Sequence, residues 1–206
     1  MDYFVALNIL GIIGFAISGA LVAIDEDFDL IGIFILAYVT AFGGGAMRNL
    51  LIGAPSSILW EQSHLFVLVL VVIIILCIFP YIFTDYLKFW IDLSDSIGLA
   101  CFAIQAAVLA QQYQPSFGAI ILSAMITAMG GGILRDVLAK RKPVFFHSGL
   151  YGTFAFIAGV AVYFGINDYS SATTLLIIFL VISRMLAIKY NWNLPGSRKI
   201  DRSTIA

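Results

Sequence analysis

The sequence predicts an all-α integral membrane protein of seven transmembrane helices, arranged as two inverted three-helix repeats followed by a seventh helix. Three observations carry this expectation. The chain is 62% hydrophobic and 11% charged over 206 residues, with a mean hydropathy of +1.03, where a soluble domain has roughly 45–50% apolar and about 25% charged residues. Its apolar residues fall into seven runs near the length of about 20 residues that crosses a bilayer. Finally, the stretch from Thr40 to Leu51 recurs 87 residues later, from Thr127 to Leu138, with seven of twelve positions identical.

The runs cover residues 3–24, 30–52, 65–83, 93–111, 116–139, 148–165 and 172–190. The first has no basic region before it and is too long for a signal-peptide core, so it reads as a retained span. Between the runs stand the acidic cluster Asp25, Glu26, Asp27 and Asp29, the turn signals Gly53-Ala54-Pro55 and Gln114-Pro115, and the basic Lys140-Arg141-Lys142-Pro143. These breaks suggest a first repeat over 1–87, a second over 88–170, a seventh helix over 171–193 and a mobile cytoplasmic tail over 194–206. Seven spans place the termini on opposite sides. One side has Arg48 as its only nearby base, whereas the other collects Lys88, Arg135, Lys140, Arg141, Lys142, Arg184, Lys189, Arg198, Lys199 and Arg202. The excess of positive charge on cytoplasmic loops predicts an inner-membrane protein with its N-terminus outside and its C-terminus inside.

The repeat extends beyond the twelve-residue motif. At the same offset, residues 9–24 match 96–111 at six positions, among them Gly11 with Gly98 and Phe15-Ala16-Ile17 with Phe102-Ala103-Ile104. Three spans per unit, an odd number, turn the second copy upside down relative to the first. Inverted repeats with helix breaks at matching positions point to a pathway near the bilayer midplane.

Each copy of the motif sets three glycines, Gly43, Gly44 and Gly45 or Gly130, Gly131 and Gly132, inside an apolar helix. Each glycine disfavours helix by about 1 kcal/mol relative to alanine, which predicts a kink or unwound turn in helices 2 and 5. Backbone carbonyls freed there require protein or water around them, and beside water those of Gly43, Gly44, Gly130 and Gly131 are candidate cation ligands. The alternative is that the glycines let two helices approach closely. Helical spacing aligns Thr40, Gly44 and Arg48 on one face, and Ser123, Thr127, Gly131 and Arg135 on another. Intramembrane arginines face a bundle interior or a watery cavity, and these two bracket the midplane. Asp136 follows Arg135 where Asn49 follows Arg48; the carboxylate either neutralises the arginine, offers a cation site or stands at the interface. Arg184 is expected to snorkel to the cytoplasmic surface.

His64 and His147 have no metal-ligand spacing and read as interfacial, Cys77 and Cys101 as small hydrophobes. Tyr81, Tyr86, Trp90, Tyr113, Tyr190 and Trp192 fit aromatic belts in contact with membrane lipids. The charge distribution argues against nucleic acid. The sequence contains no HExxH, GxSxG, GxxxxGK[ST] or GxGxxG, which predicts passive transport without a cofactor rather than an enzyme or a pump.

With its two three-helix units, its seventh helix and a doubled Thr-Ala-x-Gly-Gly-Gly-x-x-Arg-Asp/Asn motif, nearly the whole chain resembles the prokaryotic trimeric intracellular cation (TRIC) channels. Members of that family have also been catalogued as uncharacterised membrane proteins or glycine transporters. The resemblance implies a homotrimer with one potassium pore per protomer, between helices 2 and 5 kinked at Gly43–Gly45 and Gly130–Gly132. It implies potassium near the glycine carbonyls, with Arg48, Arg135 and Asp136 as polar pore or gate groups alongside Thr40, Asn49, Ser123 and Thr127. Arginines in a pore repel potassium and on charge alone favour an anion path, so gating is the role expected of them. A carrier for a small zwitterion such as glycine is the second reading, because inverted repeats also build secondary transporters. A non-conducting scaffold is the third.

Overall fold

Apolar side chains dominate every long segment, and in hydrocarbon only helices satisfy the backbone within one segment. The computed structural model describes residues 2–55, 57, 63–79, 83, 85–147 and 150–192, and among these every regular element is helical. Among the described residues, seven longer helices build the body: α1 (Asp2–Asp25), α2 (Leu30–Ile52), α3 (Ser63–Ile78), α4 (Leu87–Tyr113), α5 (Phe117–Leu138), α6 (Tyr151–Tyr163) and α7 (Ser170–Lys189). A single turn over Val144–His147 precedes α6, and a 3-10 turn over Ile166–Asp168 follows it. Five of the helices, α1, α2, α4, α5 and α7, are long and apolar enough to cross a membrane. The described parts of α3 and α6 have 16 and 13 residues and are shorter than a full span. The expected polar tail over 194–206 and Tyr81 lie outside the described residues.

Local signals set the helix ends. Asp29 caps α2 by accepting from Gly32 N at 2.7 Å, and Ser116 caps α5 by accepting from Ala119 N at 3.3 Å, each satisfying an orphan donor of the first turn. Gly53 closes α2 at φ 68°, a left-handed conformation that suits a residue without Cβ.

The interior divides broadly along the repeat. One apolar cluster is drawn mainly from α1, α2 and α3 but takes in Phe102 of α4; the other is drawn mainly from α4, α5, α6 and α7 but takes in Leu7 of α1 and Ile52 of α2. Helix α3 leans on α1 and α2 as α6 leans on α4 and α5, while α7 packs mainly on α4. The repeats meet through α1 against α4 and α2 against α5, and the contacts are reciprocal. A Cβ on Gly11 would fall 2.5 Å from the Phe102 ring, and one on Gly98 2.2 Å from the Phe15 ring. Gly11 pairs with Phe102 while the later Phe15 pairs with the earlier Gly98, so equivalent helices run antiparallel, as an inverted repeat requires. The outer surface is apolar, with Leu30, Ile31, Leu50, Val67 and Leu175 more than half exposed; a lipid environment makes that surface favourable.

At the α1–α2 turn, Arg141 pairs with Glu26 at 2.5 Å and with Asp25. The acidic first loop and the basic stretch after α5 therefore lie at the same end of the bundle, as the topology expected from the sequence demands.

Candidate functional site

The glycine triplets lie where α2 crosses α5. A Cβ on Gly44 would sit 2.2 Å from the Thr127 carbonyl oxygen, and one on Gly131 2.2 Å from that of Thr40. Gly43 faces Leu134 and Gly130 faces Met47 in the same reciprocal way. No other residue fits where backbone meets backbone this closely. Both helices continue through their triplets without interruption, which corrects the expectation of an unwound turn at Gly43–Gly45 and Gly130–Gly132. The physical reason is that glycine at a tight crossing is favoured by contact with the opposite helix, and this offsets its weak helix propensity. Carbonyls inside a continuous helix are engaged in its own hydrogen bonds, so the Gly43, Gly44, Gly130 and Gly131 carbonyls form no open cation site in this conformation.

The threonines of the motif serve the same crossing. Thr40 Oγ1 donates to Leu36 O at 2.6 Å, and its counterpart Thr127 Oγ1 donates to Ser123 O at 2.8 Å. Ser123 Oγ donates to Ala106 O at 3.2 Å, tying α5 to α4. All three hydroxyls are buried and bonded to backbone, the usual behaviour of Ser and Thr inside helices. Thr127 also lines a cavity, described below.

Arg48 and Arg135 each lie four residues beyond the crossing, toward opposite ends, about 6 Å along the helix axis at 1.5 Å per residue. Both side chains turn inward and are nearly sealed, at 4% and 2% exposure. Their hydrogen bonds obey the repeat. Arg135 Nε donates to the next residue, Asp136, at 2.8 Å, and Nη1 donates to Ser18. Arg48 Nε donates to the next residue, Asn49, at 3.1 Å, and Nη1 donates to Gln105 at 3.2 Å. Ser18 and Gln105 are themselves 87 residues apart. The scaffold is symmetric while the charge is not.

At the Arg135 end the ions are paired. Asp95 Oδ1 lies 2.7 Å from Arg135 Nη1, Asp136 Oδ1 lies 2.8 Å from Nη2, and Asp95 Oδ2 accepts from Arg184 Nη2 at 2.5 Å. Arg184 also donates to Ser96 Oγ at 2.9 Å and lies over the Tyr151 ring at 3.8 Å. Two arginines and two aspartates thus form a neutral buried cluster joining α4, α5, α6 and α7. Asp136 neutralises Arg135 and, through Oδ2, accepts from Val144 N at 2.9 Å, so it is not an interfacial charge. Arg184 is 3% exposed and does not snorkel: a carboxylate within reach in the interior competes successfully with the distant interface. The cluster opens into a cavity of about 310 Å³ whose charged walls include Asp92, Lys88 and Lys142.

At the Arg48 end the equivalents of Asp95 and Asp136 are Asn8 and Asn49, both amides. Gln105 bridges, accepting from Arg48 and donating to Asn8 Oδ1 at 3.2 Å. A cavity of about 110 Å³ lined by Asn8, Gly45, Arg48, Phe102, Gln105 and Thr127 adjoins one of about 330 Å³ that reaches the exposed His64. Between the two ends stand the α2–α5 crossing and the edge-to-face pair Phe15 and Phe102, 5.2 Å between centroids. Asp95, Ser18, Asn8 and Gln105 were not among the residues singled out from sequence. The offset of 87 aligns Asn8 with Asp95 and Ser18 with Gln105, and this was the available signal.

The fold and these buried arginine clusters define a multi-pass membrane protein built on an inverted internal repeat around a polar interior. A family model described as Glycine transporter matches twice, over residues 5–81 and 92–167. The UPF0126 membrane protein YvgT of Bacillus subtilis is 45% identical over 190 residues, 92% of this chain and 94% of that protein. The UPF0126 inner membrane protein YadS of Escherichia coli is 30% identical over 196 residues, 92% of this chain and 93% of its own. Among solved structures, a prokaryotic TRIC channel in 0.5 M KCl has a TM-score of 0.84 and 31% identity, covering 93% of this chain and 98% of that one. The TRIC trimeric intracellular cation channel orthologue from Rhodobacter sphaeroides also has a TM-score of 0.84, with 27% identity, covering 93% of this chain and 100% of that one. The chain belongs to this family, that of the prokaryotic TRIC channels.

Proposed function

We propose that the protein is a potassium channel that forms a homotrimer in the cell membrane, with one pore per protomer between α2 and α5. The N-terminus is outside and the C-terminus cytoplasmic. The observation that carries this reading is the pair of polar cavities that approach the α2–α5 crossing from opposite ends, separated by the close glycine-to-backbone contact of that crossing and by the Phe15–Phe102 pair. Where glycine meets backbone, a small separation of the helices opens the contact, and bending at the triplets together with a shift of the Phe15 and Phe102 rings supplies it. Cation conduction and trimeric assembly are carried over from the TRIC channels, the inner membrane from YadS, and potassium as the cation is the expectation drawn from the family resemblance.

The charge pattern refines the arginine gate. Arg135 is neutralised by Asp95 and Asp136 and acts as a latch between helices. Arg48, held by amides alone among the described residues, is the electrostatic barrier to a cation. Recording purified protein in a planar bilayer under a KCl gradient tests the reading: currents reversing near the potassium equilibrium potential support it, and reversal near that of chloride overturns it.

A carrier for glycine is favoured by the family description and by the presence of arginine beside carboxylate. The buried carboxylates are already engaged by Arg135 and Arg184, which counts against that reading. Saturable glycine uptake into proteoliposomes without channel currents would establish it.

A further inference from the structure

The repeat contacts allow the two arginine sites to be superimposed residue by residue, and the difference between them is one of charge. Arg135 has two carboxylates, Asp95 and Asp136, at 2.7 and 2.8 Å. In the corresponding places Arg48 has Asn8 and Asn49. No described carboxylate lies within ion-pair distance of Arg48, although it is 4% exposed. A buried cation left without a counter-charge costs several kcal/mol, so the Arg48 site is short of one negative charge.

The geometry identifies where that charge would come from. Three hydrogen bonds, two to Asn49 Oδ1 at 3.1 and 2.9 Å and one to Gln105 Oε1 at 3.2 Å, occupy three of the five guanidinium N–H groups. The rest of the site is a cavity of about 110 Å³, walled by Arg48, Asn8, Gln105 and Thr127 and by apolar side chains, with no acidic residue in its lining. The adjoining cavity of about 330 Å³ shares Asn8 and Gln105, also lacks acids, and carries His64 on its wall. The other end has four carboxylates, Asp25, Asp92, Asp95 and Asp136, in its cavity. Among the described residues lining the two cavities, a small anion entering from the His64 side meets only neutral or basic groups on its way to Arg48.

We propose that Arg48 holds a small monovalent anion, a halide or a small carboxylate, in this cavity. The bound anion plays the part that Asp95 and Asp136 play at Arg135. It removes the positive charge from the path between α2 and α5, so that cation passage depends on the anion; this last step rests on the conduction reading above, whereas binding at Arg48 does not.

The test uses the full-length protein in detergent, at fixed potassium concentration, with chloride replacing bulky gluconate in steps. A saturable rise in melting temperature is expected for the wild type, as for any ligand that binds only the folded state, and its loss in Arg48→Gln. The second variant, Asn49→Asp, supplies the missing carboxylate from the protein; it is expected to fold, to melt at or above the wild-type temperature in gluconate, and to lose the chloride response. Acetate and glycine titrations identify the source: a response to chloride alone assigns a halide site, and an equal response to acetate or glycine a carboxylate site. A wild type that melts alike in chloride and gluconate overturns the proposal, as does an Asn49→Asp variant that responds like the wild type. In bilayers, potassium current should fall when gluconate replaces chloride, and this dependence should vanish in Asn49→Asp. Reversal near the chloride potential would sink the conduction reading while leaving the binding result standing. Potassium-selective currents without any melting response would sink the anion site and leave conduction intact.

Discussion

Replacing Asp95 by asparagine keeps the shape of the side chain and removes one negative charge from between two buried guanidinium groups. Asp95 accepts from Arg135 at 2.7 Å through one oxygen and from Arg184 at 2.5 Å through the other. An asparagine has a single acceptor oxygen, so one arginine loses its partner and faces an NH₂ group instead. The cluster changes from two cations and two anions to two cations and one anion. Removing one partner of a buried pair costs about 3–5 kcal/mol, which at 1.4 kcal/mol per decade is roughly a hundred- to a few-thousandfold in the folding equilibrium. Against a total stability of about 5–15 kcal/mol the loss should be visible as a large drop in melting temperature, followed by size-exclusion of heated, detergent-solubilised protein. The reciprocal change at the other end, Asn8→Asp, places a carboxylate beside Arg48 and should be neutral or stabilising. Combining Asp95→Asn with Arg184→Gln restores the charge balance, so the double variant should melt above the Asp95→Asn single variant. If Asp95→Asn melts within a degree or so of the wild type, or if adding Arg184→Gln makes it worse by the full cost of a second independent lesion, the neutral-cluster account is refuted.

Three further outcomes follow from the same geometry. Gly131→Ala and Gly44→Ala each drive a Cβ to 2.2 Å from an opposing carbonyl oxygen and should cost about 1–3 kcal/mol by overpacking, whereas Gly118→Ala, with open space around it, should melt like the wild type. Arg48→Ala should raise single-channel potassium conductance in bilayer recordings, while Arg135→Ala, which strands Asp95 and Asp136, should show itself first as lost stability in a melting assay. Arg141→Ala breaks pairs with Asp25 and Glu26 whose side chains are 42% and 38% exposed; such surface pairs contribute about 0–1 kcal/mol, so little change in melting is expected.

The parts of this fold legible in the sequence were those written as pattern. Apolar runs gave the helices, and the offset of 87 gave the repeat, whose inversion reappears in the Gly11–Phe102 and Gly98–Phe15 contacts. The inward turn of Arg48 and Arg135 was legible for the same reason, since the cost of charge in lipid leaves few alternatives. Of the kink or unwound turn expected from three consecutive glycines, the unwound turn is absent, since both helices run on through their triplets. Propensity reports what a helix loses by containing glycine, but the gain at Gly44 and Gly131 comes from a second helix 87 residues away, which no local scale contains. Arg184 departs from expectation for a related reason: snorkelling is the favoured course only when no carboxylate waits inside, and Asp95, within α4, is adjacent only after folding.

The same comparison bears on how one scaffold handles a charge that opposes the ion it is proposed to pass. A symmetric protein could neutralise both arginines alike, yet here the end with Asp95 and Asp136 is closed by its own side chains, and Arg184 from outside the repeat is drawn in to complete it. At the Arg48 end the amides of Asn49 and Gln105 position the guanidinium without cancelling its charge, and Asn8 joins through Gln105. Position and charge are therefore separable in this fold: the repeat fixes where each arginine sits, and a change from Asp to Asn at two places decides whether it repels a cation. On the proposed path between α2 and α5, an ion meets a neutral latch at one end and an uncompensated charge at the other. Control of conduction is accordingly expected from the Arg48 end, where a single added carboxylate or bound anion cancels the local charge, and not from Arg135, whose removal undoes the packing of four helices.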